Sequence, residues 1–215
     1  LMERIISETE DLLSDDKLGT VNDRALLLNN KAMLPMNRNE KLAHSISMVN
    51  KALSMCAKSE NPVLFANINM NLGLLYIENK EPERGLEFMD KAYLFIKLTR
   101  AYNNDFITIA RNYAATLSEN GRVTKALKVL TECEYATEGC CSNNHAALLY
   151  DLGAAYILSG NYPLAVKKYS LAFAEYSALG CSEELTARKI AAARQMQRYG
   201  FEYPKEWEVD YLERS

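Results

Sequence analysis

The sequence predicts an all-α protein built from consecutive helix hairpins, and three observations lead to this prediction. Glycine and proline are scarce, with nine and five among 215 residues, so the turn clusters of a β-rich chain are mostly missing. One residue pattern recurs several times along the chain. Residues typical of helix starts, such as proline after asparagine or glutamate, precede several of the predicted helices.

Composition narrows the function classes. Hydrophobic residues make up 48% and charged residues 25%, which is the balance of a globular protein with a real core. A net charge of -3 without a basic cluster argues against a nucleic-acid partner. No run approaches the roughly twenty apolar residues that cross a bilayer, so no membrane partner is expected. The nearest basic groups are interpreted as solvated helix faces: Lys167, Lys168, Arg188, Lys189, Arg194 and Arg198.

The chain also indicates where the protein resides. Its first residues are too acidic and polar for a signal peptide, which favours a cytoplasmic location. Its five cysteines are an odd number, which suits reduced thiols better than a disulfide framework.

The recurring pattern has four copies. The sequence NLGLLY from Asn71 returns as DLGAAY from Asp151, with a degenerate copy beginning at Asn112 and a weaker one at Asn30. These four positions are 41, 41 and 39 residues apart. In the first copy Pro35 replaces the tyrosine, so its first helix is expected to end early.

These repeats resemble the tetratricopeptide-repeat (TPR) family, whose units are helix-turn-helix pairs. The resemblance rests on Leu-Gly and Tyr in the first helix and small residues in the second: Leu72, Gly73, Tyr76 and Ala92, then Leu152, Gly153, Tyr156, Gly160, Tyr162, Ala165 and Ala172. It implies a right-handed superhelical solenoid of antiparallel helix pairs. The period exceeds the family's usual 34 residues, and such long units resemble those of peptide-sensing bacterial regulators and kinesin light chains.

About ten helices are predicted, in one TPR-like domain covering residues 1–215. The helices span roughly 2–14, 21–34, 38–58, 62–79, 82–99, 104–120, 122–138, 143–159, 162–179 and 182–199. The repeat units are roughly 21–60, 61–101, 102–141 and 142–181, followed by a capping helix at 182–199 and a tail at 200–215.

The resemblance implies that first helices line a concave groove that binds a protein or an extended peptide. The residue before each Leu-Gly pair or its equivalent forms a ladder of four positions: Asn30, Asn71, Asn112 and Asp151. Asparagine amides both donate and accept, so such a ladder can pair with a peptide backbone. Further groove candidates are Met70, Leu74, Tyr150, Ile157 and, as an anchor for an anion, Arg111.

Catalysis and cofactors find little support. Cys133, Cys140, Cys141 and His145 could ligate zinc, but their spacing matches no common zinc motif, and a buried thiol beside two loop thiols is the simpler interpretation. The two histidines lie in no nucleophile-base arrangement, and there is no glycine-rich phosphate loop. No enzyme activity and no cofactor are therefore expected.

Two alternatives to a plain interaction scaffold remain open. One is the sensor portion of a larger signalling or transcription-regulating protein that binds a signalling peptide. The other is a self-associating scaffold, such as a homodimer, with contacts near Tyr93, Phe95 and Ile96 or in the tail at Trp207 and Tyr211.

Overall fold

A computed structural model describes residues 19–34, 42–56 and 61–207, and every regular element in these ranges is helical. The α-helices are α1 (Val21–Ala32), α2 (Leu42–Met55), α3 (Pro62–Glu78), α4 (Pro82–Leu98), α5 (Asn104–Glu119), α6 (Val123–Ala136), α7 (Asn143–Leu158), α8 (Tyr162–Ala178) and α9 (Ser182–Arg198). A 3-10 turn, Lys205–Trp207, follows them. The all-α prediction is confirmed, while the helix predicted at 2–14 and Tyr211 lie outside the described residues.

The chain divides into two compact units, Leu1–Ala101 and Tyr102–Ser215. In the first unit, α1 pairs with α2 and α3 pairs with α4, while α3 also packs against α1 and α2. The hairpin cores are apolar, because apolar residues at helical spacing place one face of each helix against its neighbours. One cluster of buried core residues in this unit contains Ala25, Ala32, Val49, Ala52, Cys56, Leu64, Phe65, Ile68, Leu72, Leu75 and Tyr76.

In the second unit, α5 pairs with α6 and α7 pairs with α8, and α9 packs on both α7 and α8. Part of the predicted tail folds back: Trp207 is buried and meets Tyr169 and Phe173 edge to face, with ring centroids 5.6 and 5.1 Å away. The capping helix and this turn therefore close the apolar end of the unit.

Most helix starts follow the sequence signals. Pro62 and Pro82 occupy first helical positions, and the side chains of Asn61 and Ser142 accept backbone N–H groups at the starts of α3 and α7. At α5 the cap is Asn103, since Asn103 Oδ1 accepts from two backbone amides of the first turn.

In two hairpins, a glycine allows the two paired helices to pack closely. A Cβ atom at Gly73 would lie 2.6 Å from Met89 Cγ and 2.8 Å from the carbonyl oxygen of Gly85. At Gly153 a Cβ atom would lie 2.6 Å from the ring of Tyr169. The small residues of the repeat are thus required where the first helix of a pair contacts the second.

The residue type that takes the left-handed conformation after a helix differs between the two units. After α5, α7, α8 and α9 the left-handed residue is a glycine, namely Gly121, Gly160, Gly180 and Gly200. After α3 and α4 the same backbone conformation falls on Lys80, with φ of 64°, and on Arg100, with φ of 53°. Side chains are disfavoured there, so these two helix ends in the first unit are strained.

One expected contact surface is corrected. Tyr93 and Ile96 are buried, and Phe95 packs edge to face on Phe65, with ring centroids 4.6 Å apart. These residues lie on the face of α4 that packs against other helices, and exposed residues stand between them in the sequence. They do not form an exposed surface for self-association, and neither does the buried Trp207. None of the helices described is both long and apolar enough to traverse a membrane.

Candidate functional site

The first two ladder positions make polar contacts within the first unit. Asn71 on α3 donates through Nδ2 to Oδ1 of Asn29 on α1, at 3.1 Å. Asn29 in turn donates to Oδ1 of the exposed Asn30 at 3.3 Å. Asn71 therefore connects two first helices, and its buried partner is Asn29, the residue before the predicted ladder position.

The last ladder position makes the equivalent contact within the second unit. Asp151 on α7 accepts a hydrogen bond from Arg111 on α5, with Nε and Oδ2 2.6 Å apart. Arg111 precedes the ladder residue of its own helix, just as Asn29 does. Burial raises the pKa of the Asp151 carboxyl, while the positive charges of Arg111 and Arg188 oppose that rise.

Asn112 is the open member of the ladder. Its side chain is exposed on α5 and makes no hydrogen bond to any residue that the structure describes. Thr108 and Ala115, one turn away in each direction, are also exposed. This stretch of α5 therefore presents an amide that can both donate and accept.

The other groove candidates are less exposed to solvent than Asn112. Leu74 is half-buried, whereas Met70, Tyr150 and Ile157 are buried. The ring of Tyr150 lies under the guanidinium group of Arg188, with 4.8 Å between the ring centroid and Cζ. Burial raises the pKa of the Tyr150 hydroxyl, so this residue acts as a neutral aromatic surface.

A cleft of about 210 Å³ opens in the second unit. Helices α5, α7, α8 and α9 all contribute to it. Its lining consists of Arg111, Asn143, Asn144, Ala147, Tyr176, Glu184 and Arg188. The name arginine cleft is used below for this set of seven residues.

Both arginines of the arginine cleft are held by one edge only. Arg111 uses Nε for Asp151, and Arg188 uses Nε for Oε1 of Glu184 at 2.8 Å. Their Nη groups make no hydrogen bond to any residue in the described ranges. Each guanidinium group therefore keeps an outer edge with two N–H directions available.

The N-terminal end of α7 is fixed by contacts to α8 and α9. Glu175 accepts from the backbone N–H of Ser142 at 2.9 Å and lies 2.8 Å from Nδ1 of His145. Asn143 Oδ1 accepts from the thiol of Cys181 at 3.1 Å, which leaves its NH₂ group for other partners. Asn143 and Asn144 are thereby held at one side of the arginine cleft.

Sequence reasoning missed part of this site. Arg188 and Lys168 were assigned to solvated helix faces, but Arg188 lines the arginine cleft and Lys168 forms a largely buried ion pair with Glu134. The sequence pattern singles out neither Asn29 nor a binding role for Asn143 and Asn144. The alignment of Asn29 and Arg111, each one residue before a ladder position, was the signal that could have found the contacts between first helices.

The cysteine cluster does not form a metal site. Cys133 is fully buried on α6, and burial raises its thiol pKa to about 12, whereas Cys140 and Cys141 are exposed. His145 faces Glu175. In the part of the chain that the structure describes, no three Cys, His, Asp or Glu side chains are arranged to hold a metal ion.

Comparisons with known proteins bear on the fold. The sequence matches no protein-family model and no curated relative. Among solved structures, one from Podosopora anserina, described as a kinesin light chain with nearly identical TPR-like repeats, aligns with a TM-score of 0.68 at 17% identity. The alignment covers 85% of this chain and 90% of that one.

Two further structures are similar. BtubC (BKLC) from P. vanneervenii aligns with a TM-score of 0.60 at 17% identity, covering 95% of this chain and 91% of that one. A Rap protein complexed with Competence and Sporulation Factor aligns with a TM-score of 0.55 at 13% identity, covering 89% of this chain and 59% of that one. The chain therefore has a TPR-type helical-repeat fold, as the sequence predicted, and identities this low define the fold alone.

Proposed function

We propose that this protein is a non-catalytic interaction module that binds an extended polypeptide segment along the exposed side of its first helices. The single observation that carries the proposal is Asn112, an exposed amide on α5 without a hydrogen-bonding partner among the described residues. An extended peptide offers a backbone N–H and C=O pair that such an amide can satisfy. The Rap structure, which contains Competence and Sporulation Factor, supports ligand binding by a repeat of this type.

The ladder is divided between two roles in this proposal. Asn71 and Asp151 hold neighbouring first helices together, and Asn112 contacts the ligand. Asn30, in the first unit, is exposed, and among the described residues only its Oδ1 is engaged. Met70, Tyr150 and Ile157 are buried, so the proposal assigns them no contact with the ligand.

The test is a selection from a displayed library of random linear peptides against the whole chain. An enriched peptide is then synthesised, and its dissociation constant is measured by fluorescence anisotropy. We expect Asn112→Ala to weaken binding about three- to tenfold, the effect of losing one or two neutral hydrogen bonds. Asn50→Ala is the matched control, because Asn50 is an exposed asparagine on the second helix α2.

Each other outcome has a clear meaning. Failure to enrich any linear peptide over the bare support would overturn the proposed function. Equal affinity of the native chain and Asn112→Ala would remove the assignment of α5 as the binding surface. Circular dichroism of both variants checks that the helices are retained.

A second candidate is the sensor portion of a larger regulatory protein, with the same peptide-binding surface. The observation that favours it is the similarity to the Rap protein, of which the alignment covers 59%. The complete reading frame of the gene tests this candidate. An adjoining DNA-binding or nucleotide-binding domain would support it, and a frame that encodes only these repeats would exclude it.

A further inference from the structure

We propose that Cys141 and Cys181 form a thiol modification site, at which a small disulfide oxidant such as glutathione disulfide joins the two residues. This inference does not depend on the function proposed above. The two cysteines are 40 residues apart, and each directly precedes a serine at the start of a first helix, Ser142 at α7 and Ser182 at α9. The bond would therefore link the starts of two helices that pack against each other.

Solvent exposure separates the five cysteines into two groups. Cys56 and Cys133 are buried, and burial raises the pKa of the Cys133 thiol to about 12. A buried, protonated thiol is neither accessible to an oxidant in water nor an effective nucleophile. Cys140 and Cys141 are exposed and Cys181 is half-buried. The accessible thiols thus all lie in the second unit, in the loops before α7 and α9.

The side chain of Cys181 already points towards the start of α7. Its thiol donates to Oδ1 of Asn143, the first residue of that helix, at 3.1 Å. Cys141 precedes Asn143 by two residues in the chain. The sulfur atom of Cys181 therefore lies beside the segment that carries Cys141.

The backbones of the two cysteines are held to different degrees. The N–H group of Cys181 donates to the carbonyl oxygen of Tyr176 at 3.0 Å, and its carbonyl oxygen accepts from the N–H group of Leu185 at 2.9 Å. The backbone of Cys141 makes no hydrogen bond to any residue in the described ranges. A disulfide requires Cα atoms roughly 4.4–6.8 Å apart. Since Cys141 lies in a loop, it is the partner that can adjust to this distance.

Cys140 is a less suitable partner for either of the other two thiols. Its N–H group donates to the carbonyl oxygen of Thr137 at 3.0 Å, which ties it to the end of α6. Adjacent Cα atoms across a trans peptide are about 3.8 Å apart, which is shorter than the usual range for a disulfide. A bond between Cys140 and Cys141 would therefore be strained.

Two successive thiol-disulfide exchanges complete the reaction. The Cys141 thiolate attacks one sulfur atom of glutathione disulfide, forms a mixed disulfide and releases one glutathione thiolate. The Cys181 thiolate then attacks the Cys141 sulfur atom and releases the second glutathione. Both protein thiols are oxidised, the oxidant is reduced to two glutathione thiols, and these take up the two protons that the cysteines lose.

The bond would fasten the capping helix to the hairpin before it. Helix α7 contributes Asn143, Asn144 and Ala147 to the arginine cleft, and α9 contributes Glu184 and Arg188. The bond therefore joins two walls of the arginine cleft and fixes their separation. It also stabilises the second unit against heat, because a cross-link restricts the unfolded chain.

The experiment treats the reduced whole chain with glutathione disulfide at low protein concentration. Proteolysis without reductant, followed by tandem mass spectrometry, identifies the cysteines that are joined. We expect a bond between Cys141 and Cys181 within one chain. The midpoint of thermal denaturation should rise by about 5–10 °C and return to its starting value when the bond is reduced.

Serine variants locate the bond. Cys141→Ser and Cys181→Ser should each abolish both the bond and the rise in thermal midpoint. Cys140→Ser is the matched control, because it removes an exposed thiol next to Cys141 and should retain both. Each variant is compared with itself before and after oxidation, so an effect of the substitution on stability does not enter the comparison.

Three kinds of result would overturn the inference. The first is a chain that carries only mixed disulfides with glutathione. The second is pairing through Cys140, or a bond between two chains instead of within one. The third is a bond between Cys141 and Cys181 that leaves the thermal midpoint unchanged, which would remove its role in fastening α9. None of these results affects the peptide selection, because that selection is carried out on the reduced chain.

Discussion

Arg111 on α5 and Asp151 on α7 form an ion pair in the same repeat register that joins Asn29 on α1 to Asn71 on α3. In both cases the ladder residue of one first helix bonds the residue before the ladder position of the preceding first helix. Apolar packing between helices tolerates small shifts, but a polar contact of this kind does not. The two contacts therefore fix the register of neighbouring hairpins within each unit.

The two partners of the ion pair are expected to respond differently to substitution. Arg111→Met leaves the Asp151 carboxylate half-buried without its nearest cation, so the free energy of unfolding should fall by about 1–2 kcal/mol. Asp151→Asn retains an acceptor for Arg111 Nε and should cost less. Urea denaturation followed by circular dichroism measures both, with Arg194→Met as the surface control. If Asp151→Asn lowers the free energy of unfolding more than Arg111→Met does, the cost does not come from leaving the Asp151 carboxylate without its cation.

Stability should also depend on pH through Asp151. Its pKa is raised in the folded protein, mainly by burial, so the folded state binds more protons than the unfolded state above the ordinary carboxyl pKa. This contribution to the free energy of unfolding is complete below that pKa and is lost as pH rises through the raised value. We expect the stability of the native chain, relative to Asp151→Asn, to decrease over the pH window that begins at the ordinary aspartate pKa of about 3.9 and extends through the raised value.

Denaturation of the native chain and Asp151→Asn at several pH values in that window measures this difference. Other carboxyl groups titrate in both proteins, so their contributions cancel in the comparison. An increase in relative stability with pH would mean that Arg111 and Arg188 outweigh burial.

Replacing glycine by alanine within a helix usually stabilises a protein, but Gly153→Ala is expected to destabilise this one. In an exposed helix, alanine is more stable than glycine by roughly 0.5–1 kcal/mol. Here the added methyl group would lie 2.6 Å from the Tyr169 ring, so we expect a loss of about 1–3 kcal/mol. The same loss is expected for Gly73→Ala, because the Gly85 carbonyl oxygen is fixed by its helix. Thermal and urea denaturation measure both, and stabilisation by either change would refute the close contact.

Relief of backbone strain should stabilise the first unit. Lys80→Gly and Arg100→Gly place glycine at helix ends whose φ angles are 64° and 53°, and each should add about 0.5–1 kcal/mol to the free energy of unfolding. Glu87→Gly, at an exposed position within α4, is the control and should lower it by about 1 kcal/mol. Urea denaturation measures the three changes. If the helix-end variants and Glu87→Gly all shift the free energy of unfolding in the same direction, Lys80 and Arg100 do not have the left-handed conformation.

The helices could be predicted because their signals are local. Asn61-Pro62, Glu81-Pro82 and Ser142 mark helix starts within a few residues, and the small residues at Gly73 and Gly153 mark hairpin contacts. The orientation of polar side chains could not be predicted in this way. Asn71 and Asp151 stand at one repeat position with exposed Asn112, yet their side chains meet the neighbouring helix.

The arginine cleft was hidden for a similar reason. Its residues come from four helices, and Arg188 on the capping helix shares no repeat position with Arg111. Only the packing of α9 against α7 and α8 brings them together. Charge at helical spacing alone does not distinguish a solvated face from such a site.

The Arg111–Asp151 contact makes the hairpins of the second unit non-interchangeable. A tandem copy of the α7–α8 hairpin would set its own aspartate opposite the residue before the ladder position of the original, which is Tyr150 rather than an arginine. The copied carboxylate would then be buried without a cation. Lengthening this array by gene duplication therefore requires a compensating arginine, which limits how its repeat number can evolve.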